Sequence, residues 1–106
     1  MISKKSANGI VQVGEGFARQ NLTYGDRTHL VKFFVKKGTV VPTHCHEEEQ
    51  TGYLISGKII LTLDGLDHEL EEGDSWSIKS NMLHSVRIIE DSVILDVFSP
   101  VRKEFL

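Results

Sequence analysis

His44 and His46 flank Cys45 in a His-x-His triplet, Gln50 follows four residues later, and His84 stands thirty-four residues beyond Gln50. Side chains two apart on a β-strand project to the same face, so the spacing predicts that His44 and His46 converge while Cys45 points away. Gln50 brings a neutral oxygen to the same place after a short turn, and His84 closes the set from a distant strand. Neutral imidazole suits zinc, nickel, copper and iron(II). A ligand set without carboxylate or thiolate leaves the ion's charge free to polarise a substrate oxygen, which is Lewis-acid chemistry. The competing reading of the triplet alone is a pair of exposed histidines. Of the other histidines, His29 lies in an alternating strand pattern and reads as structural, and His68, within Asp64-Gly65-Leu66-Asp67-His68, reads as a solvated residue of a turn.

Composition narrows the classes. The chain has 106 residues, 40% of them hydrophobic, which suits one globular domain over 1–106. A net charge of -3 with scattered basic residues gives no electrostatic footprint for nucleic acid or an anionic membrane. No apolar run follows Lys4-Lys5, and no window reaches the roughly 18 apolar residues of a membrane span, so a cytoplasmic protein is expected. The single cysteine, Cys45, cannot form an internal disulfide and reads as a small buried side chain.

The elements that must position these residues are strands. Turn signals recur at Asn8-Gly9, Tyr24-Gly25-Asp26, Lys37-Gly38, Ser56-Gly57, Asp64-Gly65, Glu72-Gly73-Asp74, Ser80-Asn81 and Glu90-Asp91. Between them, residues 28–36, 51–56, 58–64, 74–78, 84–89 and 92–98 are rich in β-branched and aromatic residues. No segment carries a helical period. Some dozen short strands with tight turns predict an all-β, antiparallel sandwich or barrel. The apolar run Ile10 to Val13 and the terminal Phe105-Leu106 are expected to pair with a second subunit, giving a homodimer.

The segment from Gly38 to Gly57, Gly-Thr-Val-Val-Pro-Thr-His-Cys-His-Glu-Glu-Glu-Gln-Thr-Gly-Tyr-Leu-Ile-Ser-Gly, resembles the first cupin motif, with Gln50 where that family usually has glutamate. Gly73-Asp74-Ser75-Trp76-Ser77-Ile78, followed by His84, resembles the second, with Lys79 and Asn81 replacing its customary proline and glycine. The two motifs cover about half the chain. The resemblance implies a double-stranded β-helix, the jelly-roll barrel of cupins. That fold carries dioxygenases, isomerases, epimerases, storage proteins and sensors, so it does not fix a function.

The run from Ser92 to Leu106, with Glu49-Gln50-Thr51-Gly52-Tyr53 and Arg19-Gln20, is similar to the small cupins of pectin and alginate breakdown that linearise 4,5-unsaturated monouronates. This resemblance implies one divalent transition metal, zinc, nickel, manganese or iron, held by His44, His46, Gln50 and His84. It also implies a sugar-acid substrate served by Asp96, Phe98 and Arg102. Read by themselves, those three residues leave alternatives. Asp96 shares a face with Ile94 and Phe98 in an apolar strand, where a carboxylate either pairs with an arginine or moves protons beside a metal. Phe98 is either core or a platform for a sugar ring. Arg102, beyond Pro100, is either a solvated residue or a bidentate grip on a carboxylate. Glu47-Glu48-Glu49 reads as a solvated charge run. A metal-dependent dioxygenase and a non-catalytic sugar-acid-binding module are the competing functions.

Overall fold

The computed structural model describes all 106 residues. Eight strands succeed one another: β1 (Ile10–Gly14), β2 (Phe17–Tyr24), β3 (His29–Val35), β4 (Val40–His44), β5 (Glu49–Leu63), β6 (Leu66–Glu71), β7 (Ser75–Ile78) and β8 (His84–Ser99), with a 3₁₀ turn at Lys103–Phe105. Every strand pairing is antiparallel.

The strands are fewer and longer than the turn signals imply. Ser56-Gly57 and Glu90-Asp91 do not end strands; they lie within β5 and β8, and the β5–β8 register shifts around residues 54–59. Each long strand therefore serves two layers. The first half of β5 pairs with β7 and with residues 93–99 of β8, which continue through β3 and β2 to β1. The second half of β5 pairs with β6 and with residues 84–90 of β8, whose other neighbour is β4. Bulges bend and twist a strand, which is how one strand passes from one sheet of a jelly roll to the other.

Gly57 makes that bend possible. Its φ is 101°, and a Cβ there would collide with Ser92 Oγ and lie 2.5 Å from the carbonyl oxygen of Asp91. The stretch Asp64 to His68, read from sequence as turn-rich, instead enters a strand, Leu66–Glu71, on the outside of β5, and His68 on it is solvent-exposed as expected.

Alternation sorts the side chains. In β3, His29, Val31, Phe33 and Val35 point inward, and in β8, Ser92, Ile94, Asp96 and Phe98 do. Val31, Phe33, Val35, Leu54, Ile59, Ile88, Ile94 and Phe98 form the core between the sheets. Two terminal readings diverge. All five residues of β1 are exposed at the sheet edge, whereas Phe105 packs back onto its own core and Leu106 stays exposed. Burying the ring inside its own barrel removes apolar area from water without a partner. No helix is long and apolar enough to cross a membrane.

Candidate metal and substrate site

Because β5 and β8 both bend near their middles, their far ends meet at one mouth of the barrel. Gln50 and Phe98 pair across one sheet, and His44 and His84 pair across the other. His46 lies two residues past the end of β4, just before a bend at Glu47 and Glu48, and still turns its ring toward the other two histidines. Ring centroids lie 4.1 Å apart for His44 and His84, 5.0 Å for His46 and His84, and 5.7 Å for His44 and His46. One nitrogen from each ring falls within 4.8 Å of the others.

The chain fixes which nitrogen faces inward. His44 Nδ1 lies 2.8 Å from the Pro42 carbonyl, His46 Nδ1 2.7 Å from that of Glu48, and His84 Nδ1 2.8 Å from that of Met82. A carbonyl only accepts, so each Nδ1 carries the proton and each Nε2 is left with a free lone pair. Backbone anchoring of this kind orients metal-binding imidazoles and raises their basicity toward the ion. His46 Nε2 is buried and has no hydrogen-bond partner, an unsatisfied acceptor that a cation would satisfy. The donor set therefore fits a divalent transition metal. Burial drives the His84 pKa down to about 4 against the opposing Met82 carbonyl, with His44, His46 and Arg102 adding repulsion. Burial and Arg102 also lower that of His46. Neutral rings are the form that binds a metal.

The departure at Asn81 has a structural explanation. Its φ is 63°, in the left-handed region that glycine favours and asparagine tolerates, and its N–H donates to the His46 carbonyl at 2.8 Å. The turn that delivers His84 is thereby tied to the loop that delivers His46.

Gln50, His44, His46 and His84 line a cavity of about 160 Å³ together with Asp96, Phe98 and Arg102. All seven residues singled out from sequence share this one space. Asp96 is 5% exposed and its Oδ1 has no hydrogen-bond partner. Burial pushes its carboxyl up to about 7, against the pull of the Gln50 amide and the Arg102 guanidinium. Phe98 is buried, packing against both His46 and the core. The Arg102 side chain is only 14% exposed, so it is no free surface residue; its guanidinium lies between the Phe98 ring, 5.1 Å away, and the Phe105 ring, 4.4 Å away.

Four residues near the site escaped sequence reading. Glu48 belongs to an acidic run expected in solvent, yet its side chain is 14% exposed and its carboxylate lies 3.6 Å from both His46 Nδ1 and Arg102 Nε. Two nearby cationic or proton-bearing groups hold it inward, as its neighbours Glu47 and Glu49, both exposed, are not held. Glu104 pairs with Arg102 at 2.6 Å and 2.7 Å. Phe105 and Asn21 complete the surroundings, and no local spacing marks either. Cys45 is corrected in the opposite sense: it points away from the histidines, as alternation requires, and is exposed, because the outward side at the barrel mouth faces water.

A jelly roll with three inward imidazoles at its mouth defines a cupin. The chain belongs to the cupin family, whose Cupin domain matches residues 31–98. It is 31% identical over 97 residues to the pectin degradation protein KdgF of Dickeya dadantii, a match covering 90% of this chain and 88% of that one. The structure of KdgF from a Halomonas species superposes with a TM-score of 0.94 at 26% identity, over 100% of this chain and 98% of that one. Quercetin 2,3-dioxygenase of Bacillus subtilis is 32% identical over 99 residues, a match that takes in 82% of this chain and 29% of the dioxygenase.

Proposed function

We propose that this protein is a pectin-related cupin enzyme that opens cyclic 4,5-unsaturated monouronates to the linear keto sugar acid, using a divalent metal held by His44, His46, Gln50 and His84. The observation that carries the reading is the meeting of three lone-pair-bearing imidazoles, a buried carboxylate with one unpartnered oxygen and an arginine in one small cavity, in a chain similar to KdgF over nearly its whole length. A volume of about 160 Å³ lies below the roughly 300–1,000 Å³ of drug-sized pockets and suits a single sugar rather than a polymer.

The bound metal supplies positive charge that stabilises negative charge developing on a substrate oxygen. The remaining work belongs to side chains. Arg102 presents a planar fork to the substrate carboxylate and fixes its orientation. Phe98 packs one face of the ring. Asp96 takes the proton from the anomeric hydroxyl as the ring carbon–oxygen bond breaks, which yields an aldehyde and an enolate. Return of that proton from Asp96 to the double-bond carbon remote from the enolate oxygen then gives the ketone, so atoms balance with no oxidant or reductant. A carboxyl whose affinity for protons sits near neutrality can act in both directions.

Loss of ultraviolet absorbance from freshly made 4,5-unsaturated galacturonate, and from its alginate-derived counterpart, tests the proposal against the uncatalysed drift without protein. Acceleration with at least one of them is expected. Absence of acceleration by metal-replete protein removes the reading. The likeness to part of quercetin 2,3-dioxygenase favours a second one, a metal-dependent dioxygenase, which oxygen uptake with a flavonoid would reveal.

A further inference from the structure

His29 is wholly buried, yet it lies outside the metal-facing cluster and the mechanism above does not use it. Both of its ring nitrogens are engaged. The backbone N–H of Arg102 donates to His29 Nδ1 at 3.1 Å, and His29 Nε2 lies 2.7 Å from Asn21 Oδ1. Asn21 in turn donates from Nδ2 to the carbonyl of Phe105 at 2.7 Å. That last bond settles the amide's orientation, so Oδ1 is the acceptor and His29 is the Nε2–H tautomer.

The chain of contacts closes on itself. One end of the C-terminal turn, the Arg102 amide, is gripped by β3 through His29, and the other end, the Phe105 carbonyl, is gripped by β2 through Asn21. The turn held in this way carries the Arg102 guanidinium, and it carries the Phe105 ring on which that guanidinium stacks. His29 also meets Phe105 and Phe98 edge-on or tilted, with centroids 6.2 Å and 6.4 Å away. Burial and the positive charge of Arg102 lower the His29 pKa, with Glu104 opposing, which keeps the ring neutral and Nδ1 free to accept.

We infer that His29 and Asn21 are positioning residues that clamp the Arg102–Phe105 turn over the cavity and so set where Arg102 can take a carboxylate. The part concerning substrate rests on the reading of Arg102 proposed above; the clamp itself does not.

Asn21→Ala leaves the barrel core untouched and removes both the support of His29 and the bond to Phe105. Backbone hydrogen exchange is expected to quicken by roughly tenfold or more at Arg102, Phe105 and Leu106, with no change at Val31 or Ile94. In uronate turnover, KM is expected to rise by roughly fivefold or more, the scale of one lost hydrogen bond, while kcat stays within about twofold and metal content is unchanged. His29→Ala should act in the same direction, and His29→Asn, whose side-chain oxygen reaches the place of Nδ1, should recover much of the loss. If the His29 variants fail to fold, Asn21→Ala decides alone. Unchanged exchange at Arg102 in folded Asn21→Ala overturns the clamp. Quickened exchange with unchanged KM overturns the positioning role. If the wild-type protein does not accelerate uronate opening, the functional reading falls while the exchange arm still decides the clamp.

Discussion

Asp96 carries a stability penalty that its replacement should relieve even as activity disappears. In the metal-free protein the carboxyl rises from 3.8 to about 7, chiefly because burial disfavours the charged form. Below about pH 4 the group is protonated in both folded and unfolded chains and exerts no effect. Between pH 4 and 7 only the folded chain holds the proton, so stability falls as pH rises, and above 7 the full penalty remains. At about 1.4 kcal/mol per pH unit over roughly three units, the ceiling is about 4 kcal/mol. Local relaxation and water entry bring the realised value below that ceiling. Asp96→Asn keeps the shape and removes the charge. Urea denaturation of chelator-treated protein should therefore find the variant about 2–4 kcal/mol more stable than wild type at pH 8 and within about 1 kcal/mol of it at pH 4.5. Turnover of metal-replete variant should drop by about 10²–10⁴-fold, the range for losing a general acid–base group, with metal content retained. A variant no more stable than wild type at pH 8 would refute the electrostatic argument. Turnover at the wild-type rate would remove Asp96 from the chemistry.

Other perturbations follow from the same structure. Glu104 occupies the guanidinium that a substrate carboxylate needs, and its side chain is 54% exposed, so Glu104→Gln should lower KM by about two- to fivefold with kcat little changed; a raised KM in steady-state kinetics would show that Glu104 assists binding instead. Gly57→Ala forces a side chain into a positive-φ bend against Ser92, and should lower stability by about 1–3 kcal/mol, read as a reduced melting temperature. The β1 edge, Ile10–Gly14, carries no charge and leaves all its side chains exposed. Sedimentation should therefore find a homodimer, which Val11→Lys converts to monomer; a monomeric wild type would show that the edge stays free.

Much of the site was legible because its chemistry is local in sequence. His44, His46 and Gln50 lie within seven residues, and a strand's alternation already places the two histidines on one side. His84 was legible as the histidine following the second motif, and Asp96 as a carboxylate on an otherwise apolar strand face. What sequence concealed depends on long-range packing. Ser56-Gly57 and Glu90-Asp91 look like chain reversals, but both lie within continuous strands, β5 and β8; at Gly57 glycine permits either outcome. Phe105 looked like a free apolar end because nothing nearby announces the Phe33, Phe98 and Arg102 side chains that receive it. Glu48 reads like its exposed neighbours until Arg102, fifty-four positions on, is brought beside it. The Asn21–His29–Arg102 linkage spans three separate segments and has no motif at all.

The central claim is that ring opening occurs at a metal held by the three histidines, and a metal titration with rate as the readout tests it most directly. Chelated protein would receive zinc, nickel, manganese or iron(II) in turn while ultraviolet loss from the unsaturated uronate is followed. The account predicts a rate near the uncatalysed one without metal, and a rise with at least one ion that breaks at about one equivalent per chain. That rise should be absent when His44, His46 and His84 are replaced together by alanine. Full activity in metal-free protein, or an undiminished rate in the triple variant, would contradict it.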